Sequence, residues 1–361
     1  MTDVCDEDHA AAADGSADGT TDGAAPCADT PTTTTVQPTA ATAVAQPSEP
    51  RRGPERTPGG PRAAAGRRGA ARGAGEALLC DARVAVIGAG TIGCALLRAL
   101  MRPNADGRRP QVRATTRPAG HAAHQMRAGI TVGTDNAEAA RWADVVVLCV
   151  KPRTAPAVLA ELRDARSPRP RLLLSVVAGL SVERIASTLM PGGGGPESGD
   201  VWRVARAMPN LAASVGESAT ALHVPPPTLA DPVMASLARA LLGRCSPCLT
   251  ELHDESLLNA ATALNGTGPL YAFTLLEAMV DGGVRAGLSR HDAHRLAAQS
   301  LFGAARLALD FGEHPAALRD RVTTPGGTSI AALHALERGG FRAAVMDAVV
   351  AAADRSRQLA E

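Results

Sequence analysis

Three glycine-bearing turns carry the groups with which this chain could do chemistry, and all three offer the same resource: backbone N–H groups at the mouth of a helix. The first is Gly88-Ala89-Gly90-Thr91-Ile92-Gly93, set between the apolar run Arg83-Val84-Ala85-Val86-Ile87 and the helical run CALLRALM. Strand, GxGxxG and helix in that order are the context in which the motif means dinucleotide binding. The glycines permit a tight turn and close approach of a pyrophosphate, which then lies at the helix amino terminus. The second turn is Asn265-Gly266-Thr267-Gly268-Pro269. The third is Thr324-Pro325-Gly326-Gly327-Thr328-Ser329, and like the second it opens a long helical pattern. Consecutive N–H groups there can hold a carboxylate without a formal positive charge, and the hydroxyls of Thr324 and Ser329 can add hydrogen bonds.

Acid–base groups are scarce around these turns. None of the nine His residues falls in a motif, and His314 and His334 read as surface or helix-packing residues. Cys245-Ser246-Pro247-Cys248 is a CxxC, but no second pair stands at zinc spacing, so no metal site is expected. Cys94 and Cys149 read as small buried hydrophobes. Of 37 basic residues only Lys151 is a lysine. It ends VVVLCVKP, at the carboxyl end of a strand beside the expected cofactor cleft. The second strand ends Ala114-Thr115-Thr116-Arg117, where an NAD site would place a carboxylate. Hydroxyls and a guanidinium suit a 2′-phosphate instead, which favours NADPH and leaves NADH possible.

The elements that position these turns follow from hydrophobic pattern. VAVIG, QVRATT, ITVG, DVVVLCV, RLLLSVV and WRVARAMPN read as six strands separated by helices, and CSPCLTEL as a last strand. A βαβ series of this kind predicts a Rossmann-type doubly wound parallel sheet over residues 81–250. From residue 251 to 361 the pattern is all helical: DESLLNAATAL, PLYAFTLLEAMVDGGVRAG, HDAHRLAAQSLFGAARLALDFG, TSIAALHALERG and FRAAVMDAVVAAADRSRQLA. Apolar residues lie on more than one face of these helices, which points to an intertwined helical dimer.

Residues 1–80 read as a disordered, low-complexity tail rich in Ala, Thr, Gly, Pro and Asp. Its early acidity disfavours a transit peptide, and no apolar stretch suggests secretion, so a cytoplasmic location is expected. Seven arginines between residues 51 and 73 could touch nucleic acid or anionic lipid. A net charge of +1 argues against nucleic acid as the main partner, and the lack of a long apolar run argues against a membrane span.

The motifs taken together resemble those of the pyrroline-5-carboxylate reductase family. TPGGTS, NGTGPLY and DGGVRAGLSR carry the resemblance in order and at suitable spacing, and it extends over residues 83–358. It implies an NAD(P)H-dependent reductase making proline from a cyclic imine carboxylate, with helices exchanged in a homodimer that assembles further. It implies Asn136 on the adenosine side, and Val150, Lys151, Pro152, Ala178 and Gly179 as ledges beneath the nicotinamide. Met208-Pro209-Asn210 matches the next family motif, but Leu211-Ala212 replaces its usual Thr-Pro. Thr262 matches a family Thr near the reacting ring, and Gly326, Gly327, Thr328 and Ser329 match the carboxylate turn. Asn265 and Thr267 stand where the family carries Ser. Other readings are a reductase of another cyclic imine, and a non-catalytic nucleotide- or nucleic-acid-binding protein. A β-hydroxyacid-type dehydrogenase would need a Lys base in the C-terminal domain, which has none.

Overall fold

Strands β1 (Arg83–Ile87), β2 (Gln111–Thr115), β3 (Thr131–Gly133), β4 (Val145–Leu148), β5 (Arg171–Ser175) and β6 (Trp202–Met208) form a parallel sheet in the order 3-2-1-4-5-6. That is the order of the dinucleotide-binding doubly wound fold, whose ligand crevice lies at the carboxyl ends of the strands. The computed structural model describes residues 73–116, 130–165, 167, 169–191 and 201–359.

The central strands β1, β4 and β5 have apolar, buried interiors because both faces of the sheet are covered there. Val84 and Val86 face a layer containing Leu96, Leu97 and Leu100 of helix Thr91–Met101. Ala85 and Ile87 face the opposite layer, with Ala140, Leu159 and Leu162. Two features depart from the expected architecture. The sheet has eight strands, and β7 (Ala219–His223) runs antiparallel to β6, with β8 (Cys248–Glu251) parallel to β7. Helix is also found inside the stretch assigned to the tail. Residues 73–81 are helical, and Leu79 is fully buried in the first core layer.

Beyond β8 come helices Leu257–Ala261, Gly268–Arg285, Arg290–Phe311, Pro315–Asp320, Thr328–Arg338 and Phe341–Gln358. A π-helical turn, Thr262–Gly266, joins the first two. These helices have little interior of their own. Val280, Ala293 and Ala297 form a small cluster with Leu276 and Val284, while Leu264, Phe273, Phe302, Leu309, Met346 and Val350 are all more than half exposed. Among the described residues, no helix is long and apolar enough to cross a membrane.

Candidate functional site

The turn after β1 is fixed by its own backbone. Gly88 adopts φ +98°, and a Cβ there would lie 2.9 Å from the Cys149 carbonyl oxygen and from Val150 Cγ1. A Cβ on Gly93 would lie 2.1 Å from the Gly88 carbonyl oxygen. The amides of Gly88 and Ala89 both donate to the Thr115 carbonyl at 3.1 Å, pinning the turn to the end of β2. Gly90 is different: nothing lies within 4 Å of where its Cβ would be. It is the N-cap of helix Thr91–Met101, which has no side-chain cap and no acidic residue in its first turn. Gly90 and Thr91 are exposed and Ile92 is half-buried. Among the described residues no side chain obstructs the helix mouth, which is open and electropositive, the condition for receiving a pyrophosphate.

Thr115, at the end of β2, bonds to the other adenosine-side residue. It is buried, and its hydroxyl donates to Asn136 Oδ1 at 2.6 Å. The Asn136 amide in turn donates to Glu161 Oε2 at 2.7 Å. Thr115 thus orients Asn136 at the strand end. Thr116 is half-buried and its amide donates to the Gly133 carbonyl at 3.1 Å. Arg117 lies outside the described residues.

The carboxyl ends of β4, β5 and β6 form the next part of the site. Val150 is half-buried, and Lys151 and Pro152 are exposed at the start of a 3-10 turn. Gly179 adopts φ +71°, which turns the chain directly after Ala178. Ala178 packs with Met208, Leu258 and Ala261, so the turn after β5 meets the first C-terminal helix. Asn210 is buried and hydrogen-bonded through both side-chain heteroatoms and its backbone amide. Its Oδ1 accepts from the Ala212 amide at 3.1 Å, its Nδ2 donates to the Asn265 carbonyl at 3.1 Å, and its backbone amide donates to Ser218 Oγ at 3.1 Å. The 3-10 turn Leu211–Ser214 is held by this cap, so the Leu211-Ala212 departure is accommodated without a hydroxyl. Asn210 thus holds the turn that follows β6.

Asn265 answers from the other side. Its Nδ2 donates to the carbonyls of Met208 at 2.7 Å and Ala219 at 2.9 Å. The substitution of Asn for the family's Ser therefore adds a two-pronged link from the π-helical turn to β6 and β7. The Thr262 hydroxyl donates to the Leu258 carbonyl at 2.7 Å, which leaves its oxygen lone pairs as acceptors. The Asn265 bridge and the π-helical geometry were not legible in the sequence, where NGTGP read only as a tight turn.

The Thr324–Ser329 turn is built differently from the phosphate-side turn. Gly326 adopts φ +65° and has no neighbour within 4 Å of its Cβ position. A Cβ on Gly327 would fall 2.3 Å from Thr324 Oγ1, so that hydroxyl is folded over the turn. The Gly327 amide donates to the Thr324 carbonyl at 3.0 Å. Gly327 caps helix Thr328–Arg338 without a side-chain hydrogen bond, and the first helical turn has no acidic residue. Thr324 and Thr328 are exposed and Ser329 is half-buried. A shallow concavity of about 580 Å³ borders Gly326, Gly327, Ile330 and His334, so His334 lies nearer the turn than its sequence context suggested. Burial pushes the thiols of Cys149 and Cys245 up, away from ready nucleophiles, and both serve as packing residues.

A 3-2-1-4-5-6 sheet, an open glycine turn at its switch point and helices appended beyond it define an oxidoreductase of the dinucleotide-binding class. Residues 83–179 match the family described as NADP oxidoreductase coenzyme F420-dependent, and residues 255–359 match pyrroline-5-carboxylate reductase dimerisation. Pyrroline-5-carboxylate reductase of Methanosarcina acetivorans is 39% identical over 235 residues, covering 65% of this chain and 82% of that protein. The Pisum sativum enzyme is 37% identical over 273 residues, 76% of this chain and 94% of that protein. A pyrroline-5-carboxylate reductase structure from Coxiella burnetii superposes with a TM-score of 0.68 at 30% identity, covering 78% of this chain and 99% of that one. The chain belongs to the pyrroline-5-carboxylate reductase family.

Proposed function

We propose that this protein reduces 1-pyrroline-5-carboxylate to L-proline, the last step of proline biosynthesis, using NADPH in preference to NADH. The observation that carries the reading is the likeness to named reductases across both halves of the chain, which extends over 94% of the Pisum sativum protein. The two uncapped helix mouths fit the two anions involved. The Gly88–Gly93 turn takes the cofactor pyrophosphate, and the Gly326–Ser329 amides take the substrate carboxylate. Bound NADPH supplies the hydride. The residues of the chain do the rest by placement: Ala178 and Gly179 form the ledge, and Thr262 accepts a hydrogen bond from the ring nitrogen. The imine arrives protonated, the hydride adds to its carbon, and the C=N π electrons become the lone pair of the product amine nitrogen. No general acid is needed, and positioning with electrostatics accounts for the rate.

Two copies complete the site in this reading. The exposed apolar residues of the C-terminal helices are covered in a homodimer, which places the Thr324–Ser329 turn of one protomer against the nucleotide half of its partner. Further association of dimers and a cytoplasmic location belong to the same proposal, which size analysis and cell fractionation test. The decisive assay is NADPH consumption with 1-pyrroline-5-carboxylate and recovery of proline. Turnover with another cyclic imine and none with this one would overturn the substrate assignment.

A further inference from the structure

Glu255 is unexplained by either helix mouth, yet it sits where the two halves of the chain meet. Its Oε1 accepts from the Val182 backbone amide at 2.8 Å and from Arg206 Nη1 at 2.5 Å. Val182 is the first residue of helix Val182–Leu189, three residues after Gly179. Arg206 lies on β6, two residues before Met208, and its side chain is only 9% exposed. Glu255 itself precedes Ser256, the N-cap of the helix that runs into the π-helical turn and Thr262. One carboxylate oxygen therefore ties the turn after β5, the end of β6 and the segment bearing Thr262. The apolar contact of Ala178 with Met208, Leu258 and Ala261 lies at the same junction.

We infer that Glu255 is a positioning residue: it sets the height of Thr262 above the Ala178–Gly179 ledge, and so the distance between the substrate ring and the hydride. Three features support a geometric role beyond simple cohesion. The bond to Val182 reaches a backbone amide, which cannot swing away as a side-chain partner can. The Arg206 guanidinium, nearly buried, fixes the carboxylate from the sheet side. Thr262 follows Glu255 by seven positions, most of them in helix Leu257–Ala261, so a tilt at the carboxylate is carried to the hydroxyl with little slack.

This inference rests on the proposed imine reduction, and the experiment separates the two. Glu255→Gln keeps the shape and an acceptor oxygen but removes the charge. The double variant Glu255→Gln/Arg206→Gln avoids leaving a buried cation unpaired, and it guards against simple misfolding. Both are compared with the wild-type protein for turnover, for the isotope effect from NADPH deuterated at the transferred position, and for amide exchange. Displacement of a reacting group by an ångström can cost up to about 100-fold. The double variant is expected to lose about tenfold or more in kcat, with KM for NADPH little changed and the isotope effect raised. Amide exchange is expected to rise together in residues 178–189 and 257–267, and to stay as in wild type over the Gly88–Gly93 turn. A merely structural role would lower activity in proportion to the folded fraction, with an unchanged isotope effect, and would overturn the inference. So would wild-type exchange over 257–267, which can be measured whether or not the wild-type protein turns over this imine. Absence of wild-type turnover would instead remove the functional proposal.

Discussion

The two glycine turns make opposite use of the same chemistry. At Gly88–Gly93 the chain completes its own site: two amides are anchored on Thr115, and the added Cβ of Gly88 or Gly93 would meet backbone at 2.9 Å and 2.1 Å. At Thr324–Ser329 the turn is shaped locally but stands in the open, on helices whose few buried residues include Val280, Ala293 and Ala297. The difference teaches that rigidity at one half-site comes from packing within the sheet. The other half-site has no such packing among the described residues.

The sharpest way to break this contrast is to add one methyl group to each turn. Gly93→Ala forces Cβ onto backbone that cannot move aside, and is expected to cost about 3 kcal/mol or more in stability. NADPH binding should disappear with it. Gly327→Ala meets chiefly the exposed Thr324 hydroxyl, which can rotate, with the Thr324 carbonyl oxygen at 3.2 Å, so the loss of stability should be smaller while KM for the imine rises. Urea unfolding and cofactor titration of both variants check the pair. Equal loss of stability would erase the distinction.

A second experiment asks whether the open turn serves a neighbour. Gly90→Trp ruins the phosphate side and Gly326→Trp ruins the carboxylate side. Unfolded and refolded together, the two inactive proteins should regain about one quarter of wild-type activity, since half of randomly paired dimers are mixed and each holds one intact site. A mixture that stays inactive would show that each protomer houses a whole site.

Smaller effects sharpen the nucleotide half. Arg117→Ala should weaken NADPH by about 1.5–3 kcal/mol through loss of a charged hydrogen bond to the 2′-phosphate, and leave NADH nearly unaffected. Equal effects on both cofactors would remove the case for NADPH preference. The smallest effect is expected from deleting residues 1–72, with melting temperature and activity retained. Leu79→Ala, in the helix over residues 73–81, should cost about 2–5 kcal/mol. A truncation as damaging as Leu79→Ala would place the start of the fold earlier.

Much of the molecule was readable because its signals are local. The apolar runs of β1, β4 and β5 are buried on both faces and so carry no polar interruptions. The glycine turns are legible because their backbone conformations require particular residues. Other features depend on distant partners and left little trace. β7 reads Ala219-Thr220-Ala221-Leu222-His223, a short and weakly apolar stretch that becomes a strand only because β6 and β8 flank it. Residues 73–81 continue the Ala/Gly-rich composition before them, and of the short apolar run Leu78-Leu79-Cys80 only Leu79 and Cys80 are buried. Nothing at Thr115 marked its partner as Asn136, which the fold places against it. Glu255 looked like any charge before a helix, since Val182 and Arg206 are 73 and 49 residues away.

The sparse interior of the C-terminal helices has a thermodynamic consequence. If those helices gain most of their burial from a second copy, then folding, association and catalysis draw on one free energy, and none can be varied alone. Dilution would then erode activity before it unfolded the sheet. A ligand bridging both helix mouths would tighten subunit association by the same factor that association tightens the ligand.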